Sequence, residues 1–371
     1  MRILITGGAG FIGSHTADAL LKKGHHVRVL DSLEPPVHRD RVKPSYLTPD
    51  VDFILGDVRN SSDMEKALEG MDAVYHFAAH QGYLTDFSTF AQVNDMGTAL
   101  LYEIIVNKRL HVQKVVLASS QSVYGEGEYM CAEHGVQYPP PRLREQLRLG
   151  DWGVKCPVCH KDMEPLLTDE SHANPHNQYA ASKYAQELYA LALGRRYAIP
   201  TVAMRYSITQ GSRQSFSNAY SGILRIFTVR LLTGHPVNLY EDGNQLRDYV
   251  HVADVVNANL LVLESEAANY EMYNIGGSRA YSVNEFTKLL IKIMGKNVKP
   301  QKPGEFRFGD VRNIVSDINK IRKLGWEPQK PIEQNMKDYI AWIQSQPQIF
   351  DYYADAEKNM RQQGVIQPIT R

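Results

Sequence analysis

The stretch RILITGGAGFIG, residues 2–13, decides the fold. A β-rich apolar run, Arg2 to Thr6, enters a glycine cluster, and the residues after it carry a helical pattern through Lys23 that Gly24 ends. Gly7, Gly10 and Gly13 stand three apart. That spacing suits a tight turn, room for the backbone to approach a pyrophosphate, and close packing of the helix on the strand, with Phe11 and Ile12 inside the same turn. The helix start adds free N–H groups and the positive end of its dipole. Asp31 ends the next apolar run, 18 residues after Gly13. Its carboxylate can accept from a ribose diol and would repel a 2′-phosphate, so the reading is NAD rather than NADP. A glycine-rich turn without cofactor is the competing reading. Asp57, followed by Val58, ends a third run and either meets the adenine or caps a helix.

Outward from this turn, apolar β-type runs at 27–31, 51–55, 73–77, 114–119 and 201–206 alternate with helical patterns. The fold class expected is α/β, a Rossmann-type doubly wound parallel sheet. Residues 1–206 read as the NAD-binding domain, interrupted at about 126–176 by a Pro-, His- and Cys-rich insertion with no sustained periodicity. Residues 207–345 read mainly as a smaller substrate-binding domain, with helices near 215–233, 252–267, 283–295 and 332–345, and with 248–276 returning to the first domain. The polar end, 346–371, reads as a poorly packed tail.

Lys+Arg and Asp+Glu both number 41 in the 371 residues, so no net field draws the molecule to nucleic acid or an anionic membrane. Apolar runs fall well short of the ~20 residues needed to cross a bilayer, and the first residues break into glycines, so a cytoplasmic protein is expected. Three cysteines provide no disulfide framework.

Tyr179 and Lys183 lie at i and i+4, on one helix face. An ammonium beside the phenol, with the cationic nicotinamide, lowers the phenol from its ordinary value of about 10 toward neutrality and makes it a general base. A tyrosine and a lysine on an ordinary amphipathic helix is the bland alternative. With the glycine turn, HFAA at 76–79, LASSQSVYG at 117–125 and RDYVHVADV at 247–255, the pair makes the chain resemble the extended short-chain dehydrogenases/reductases, in the nucleotide-sugar epimerase and dehydratase group, over about residues 1–345 apart from the insertion.

The resemblance implies that Ser120 hydrogen-bonds the reacting sugar hydroxyl, that Tyr179 takes its proton with Lys183 alongside, and that a hydride passes to NAD and back through a 4-keto sugar. It also places Ala78, Ala79 and Asn94 on the cofactor side, although Asn94 reads equally as a satisfied helix-start residue. Gln81, Gln121, Ser122, Arg213, Arg247 and Arg307 fall on the substrate side, the arginines offering planar forks to phosphate oxygens. Similar dehydratases carry an Asp-Glu pair where this chain has Gln121 and Ser122, which disfavours dehydration. A 4-epimerase or a sugar dehydrogenase/reductase remains. Ile208 replaces an asparagine that relatives place on the nucleotide sugar, so UDP-glucose/UDP-galactose specificity does not transfer directly and a 6-deoxy sugar such as dTDP-L-rhamnose stands beside UDP-hexoses as a candidate substrate. Helices near 94–109 and 178–196 resemble those that pair two subunits, so a homodimer is expected.

From Ser120 to Tyr179 the chain runs 59 positions, where similar proteins use about two dozen. The excess holds every cysteine, as Cys131-x2-His134-x21-Cys156-x2-Cys159. Such a Cys3His set is a closed structural zinc site, with His160 as a substitute for His134 and three free thiols as the alternative.

Overall fold

A computed structural model describes residues 1–82, 85–218 and 222–370. Its main sheet has seven parallel strands: β1 (Arg2–Thr6), β2 (His26–Asp31), β3 (Asp52–Leu55), β4 (Ala73–His76), β5 (Lys114–Ser120), β6 (Thr201–Tyr206) and β7 (Glu271–Ile275). They run in the order β3-β2-β1-β4-β5-β6-β7. Each apolar run expected from the sequence is a strand of this sheet to within a residue or two.

Period-two side-chain alternation builds both faces. Ile3 and Ile5 join one apolar layer with Ala17 and Leu20 of helix α1 (Phe11–Lys22), while Leu4 between them joins the other. That second layer is filled from α2 (Ser61–Leu68), α3 (Gly97–Asn107) and α4 (Gln178–Arg196). Helix α5 (Val252–Glu264) packs beside α1, so 252–275 supplies both a helix and β7 to the first domain. Strand order reverses between β1 and β4, and at such a switch point the loops splay apart to leave a crevice.

The second domain has its own core, in which Leu224, Phe227, Tyr249, Phe286 and Tyr339 are buried. Leu246–His251 is the central strand of its small sheet, parallel to Ile208–Gln210 and antiparallel to Ala280–Ser282. The insertion forms a three-stranded antiparallel sheet of Tyr129–Cys131, Gly135–Gln137 and Glu164–Pro165, with a short helix Arg144–Arg148.

One expectation is corrected. The chain end is packed, not loose: Tyr353, Ala356 and Met360 of the helix Tyr353–Gln362 enter the second domain's core, and Ile366–Pro368 pairs with Glu305–Arg307. Residues 353, 356 and 360 share one helical face, an amphipathic pattern hidden by the segment's polar composition.

Candidate active site

A cavity of about 800 Å³ runs from the switch point to the second domain. Its floor is the glycine turn. A Cβ on Gly13 would stand 2.4 Å from the Gly7 carbonyl oxygen, and one on Gly7, which sits at φ 69°, would stand 2.7 Å from the Ala78 nitrogen. The turn therefore has no space for side chains, and a ligand can lie directly against backbone. Thr6 Oγ1 accepts from the Ala78 N–H at 3.2 Å and lies 2.9 Å from His76 Nδ1, which ties the ends of β1 and β4 together.

Phe11, Ile12, Asp31, Asp57, Val58, Ala78 and Ala79 line this half. Asp31 is held at both oxygens, accepting from Leu33 N–H at 2.9 Å and Ala9 N–H at 3.0 Å, so it bridges β2 and the glycine turn. Burial raises its pKa, opposed by those bonds and by the His38 ring at 3.8 Å. Each oxygen keeps a lone pair for a hydroxyl. Asp57 is not the cap of α2: that position belongs to Asn60, whose side chain accepts from the Ser62 and Asp63 N–H groups. Asp57 instead takes a two-bond pair from Arg59, at 2.9 and 2.5 Å.

The middle of the cavity is lined by Gln81, Ser120, Gln121, Ser122, Tyr179 and Lys183. Ser120 ends β5, and its Oγ accepts the Ser122 N–H at 3.2 Å, which leaves the hydroxyl proton available to a ligand. Asn177 caps α4, accepting the Ala180 N–H at 2.9 Å, and so fixes the helix turn that carries Tyr179. Lys183 is 2 % exposed and donates to the Ala118 carbonyl at 2.8 Å. Burial lowers its pKa to about 7, against the fields of Glu187 and Asp95. Behind it, Glu187 accepts two bonds from Arg205, at 2.9 and 2.7 Å, and one from Ser119 at 2.5 Å.

Arg247, Arg307 and Ile208 line the far end, contributed by the second domain. Two expected site residues stand apart from the cavity wall. Asn94 is fully buried, accepting from the His80 N–H at 2.7 Å and donating to Ser182 Oγ at 2.8 Å, and so braces the loop after β4 against α4. Arg213 pairs with Asp18 at 2.8 Å and lies over the Tyr46 ring.

His176, Gln245 and Tyr249 line the cavity without having been singled out from the sequence. His176 Nε2, Gln121 Oε1, Ser122 Oγ, Gln245 Oε1 and Tyr249 Oη are buried with no partner among the described residues. Buried polar atoms ordinarily find partners, so these mark a wall shaped for a polar ligand. Tyr249 lies within the RDYVHVADV stretch and His176 three residues before Tyr179, but neither position by itself signals a polar wall.

In the insertion, the ligand atoms of Cys131, His134, Cys156 and Cys159 lie within 4.8 Å of one another. Cys131 Sγ is 3.7 Å from Cys159 Sγ and 3.5 Å from His134 Nδ1, and His134 Nδ1 is 3.7 Å from Cys156 Sγ. His160 is exposed and outside the cluster. The Glu133 backbone N–H, with help from His134, holds the Cys131 thiol down to about 6.

The sequence matches the model of the NAD dependent epimerase/dehydratase family over residues 3–145 and 157–276, and the break falls inside the insertion. The chain belongs to that family. It is 32 % identical over 348 residues to a dTDP-L-rhamnose 4-epimerase of Burkholderia thailandensis, covering 92 % of this chain and 94 % of that one. Among solved structures it is similar to a UDP-glucose 4-epimerase of Thermotoga maritima with UDP-glucose (TM-score 0.75, 30 % identity, 93 % of this chain and 99 % of that one). A UDP-glucuronic acid 4-epimerase of Bacillus cereus, in complex with UDP-glucuronic acid and NAD, is comparably close (TM-score 0.75, 26 % identity, 93 % and 99 %). Among the described residues no helix is long and apolar enough to cross a membrane.

Proposed function

We propose that this family member is an NAD-dependent nucleotide-sugar 4-epimerase. The observation that carries this reading is the meeting in one cavity of the side-chain-free glycine turn, Asp31, and the Ser120, Tyr179 and Lys183 set, with Gln121 and Ser122 where a dehydratase needs an acid and a base. Gly7, Gly10, Gly13 and Asp31 would hold NAD along the turn, where it would supply the hydride acceptor and donor for C4. The chain's residues handle the proton and the geometry. Ser120 directs its free O–H to the C4 oxygen, and Tyr179 removes the hydroxyl proton as the ketone forms and gives it back when the alcohol is restored on the opposite face. Lys183, charged, stabilises the phenolate on the same helix face. Arg247 and Arg307 offer forks of donors at the end where a diphosphate would sit.

A dTDP-linked 6-deoxyhexose such as dTDP-L-rhamnose is the first candidate substrate, supported by the apolar Ile208 in the wall and by the Burkholderia relative. UDP-hexoses come second. A screen of dTDP-, UDP-, GDP- and CDP-sugars, without added cofactor, tests this. Inversion of one sugar at C4 supports an epimerase, and stoichiometric NADH formation would replace it with a dehydrogenase.

The thiolate cluster is proposed as a structural zinc site. Tetrahedral zinc, with Zn–S of ~2.3 Å and Zn–N of ~2.05 Å, requires S–S edges of about 3.8 Å and S–N edges of about 3.6 Å. The separations of 3.7, 3.5 and 3.7 Å fit those edges. Among the described residues, the cluster's buried apolar core holds, besides the cysteines, only Tyr129, Val154 and Met163. A layer this small needs a cross-link, and thiols kept reduced for metal suit a cytoplasmic enzyme. Homodimer formation is proposed through α3 and α4, where Leu188 and Tyr189 are 55 % and 46 % exposed.

A further inference from the structure

The insertion sends one side chain deep into the body of the protein. Arg142 has a side chain only 2 % exposed, and its two carboxylate partners, Glu126 and Glu241, are equally hidden. Its guanidinium donates to both oxygens of Glu241 at 3.0 and 2.9 Å, to Glu126 Oε1 at 3.2 Å and to the Asp310 carbonyl at 2.8 Å. Glu126 reaches the same segment from the other side, its Oε2 accepting the Arg312 N–H at 2.6 Å. Residues 310–312 are thus clamped at both ends. The carbonyls of Val311 and Arg312 in turn accept from Arg247 Nη2 at 2.6 Å and Nη1 at 2.9 Å. Arg247 lines the cavity and makes no salt bridge of 4 Å or less with a carboxylate among the described residues. Its Nε proton and one Nη2 proton are not used by the two carbonyl bonds, nor by the further Nη1 bond to the Leu246 carbonyl.

We infer that Arg142 is a positioning residue for substrate: through the 310–312 carbonyls it aims Arg247 at the diphosphate of the nucleotide sugar, which makes the insertion part of the substrate-binding wall. The inference rests on the nucleotide-sugar reading above. Two observations favour it over a purely structural brace. Glu241, the main partner, is a non-glycine residue at φ 54°, a conformation that costs free energy and persists where surrounding contacts fix it. And the bonds from Arg142 and Glu126 end on backbone groups of the three-residue segment whose other carbonyls orient the cavity's arginine, rather than on apolar core. An arginine fits this task because one planar fork can hold two carboxylates and a carbonyl together, which an ammonium on a flexible stem cannot do.

The test uses the full-length holoenzyme and its R142K variant, which keeps the buried charge but loses the fork. Binding of dTDP, UDP, GDP and CDP is measured by calorimetry, and KM and kcat are measured on the sugar that the wild type inverts. The expected result for R142K is wild-type NAD content, kcat within about threefold, and Kd and KM raised about tenfold, the pattern of lost ground-state binding. Wild-type Kd in a folded R142K, or a loss of kcat at unchanged KM, overturns the inference. If R142K does not fold, E241Q removes the paired acceptor while sparing the cation and should raise Kd about threefold; unchanged Kd there overturns it equally. A wild type that binds none of the four nucleotides brings down the nucleotide-sugar reading itself, and this inference with it.

Discussion

Replacing Lys183 with methionine should make the cofactor-free protein more stable near neutral pH, and the gain should fade as pH rises. The lysine is buried, with the Ala118 carbonyl as its hydrogen-bond acceptor, and its pKa falls from 10.5 to about 7. A folded-state pKa below the unfolded one means that the native protein binds fewer protons between those values, so this lysine's destabilisation is full below about pH 7 and relieved as pH rises toward 10.5. At ~1.4 kcal/mol per unit, the cost is on the order of 4 kcal/mol near pH 7 and about 1.5 kcal/mol near pH 9.5. The stability difference between K183M and wild type should therefore shrink by roughly 2–3 kcal/mol across that window. Asp95, which burial raises to about 6, titrates below it. Denaturant titrations of both proteins at the two pH values measure this, and taking the difference cancels the constant packing change. Parallel pH profiles for K183M and wild type would refute the reasoning, because they would mean that Lys183 is not held near neutrality by burial. Because Lys183 is assigned to stabilise the Tyr179 phenolate, K183M should also lose activity by about a thousandfold, on the general acid–base scale.

Tyr179→Phe should lower kcat by at least a thousandfold while leaving NAD content unchanged, read by absorbance of the denatured supernatant; retained turnover would remove Tyr179 as the base. Gly13→Ala forces a Cβ to within 2.4 Å of the Gly7 carbonyl oxygen, so the purified protein should contain little or no NAD, and full NAD content would contradict the close-approach role of the turn. Protein purified without chelator should hold one zinc per chain by elemental analysis, and Cys156→Ser should lose it and expose 126–176 to protease; no zinc in the wild type, or an unchanged digestion pattern, would contradict the structural site.

The glycine turn, Asp31 and the Tyr179–Lys183 pair were legible in the sequence because each depends on local geometry. Three glycines before a helix and an i, i+4 pair project to the same place in any strand–turn–helix context. The cluster of Cys131, His134, Cys156 and Cys159 was legible for the same reason, as two short-range pairs. What escaped depends on contacts between distant segments. Arg142 meets Glu241 across 99 positions, and nothing in PPRLREQ around it distinguishes a buried guanidinium from a surface one. His176, Gln245 and Tyr249 gain significance only from having no partner once the chain has folded around them. Asn94 and Arg213 differ from the other expected site residues in standing off the cavity wall. Both sit in recognisable motifs, yet the fold turns Asn94 inward to His80 and Ser182 and pairs Arg213 with Asp18.

The central claim is that a sugar carbon is inverted by removing and returning one hydrogen within a single enclosed site. Incubating the purified enzyme with dTDP-L-rhamnose, and with the sugars found by the screen, in deuterium oxide without added cofactor tests it by NMR of the product. The account predicts a C4-inverted sugar with protium retained at C4 and no net NADH. Deuterium at C4 would mean that the hydrogen leaves as a proton to solvent, and would contradict it.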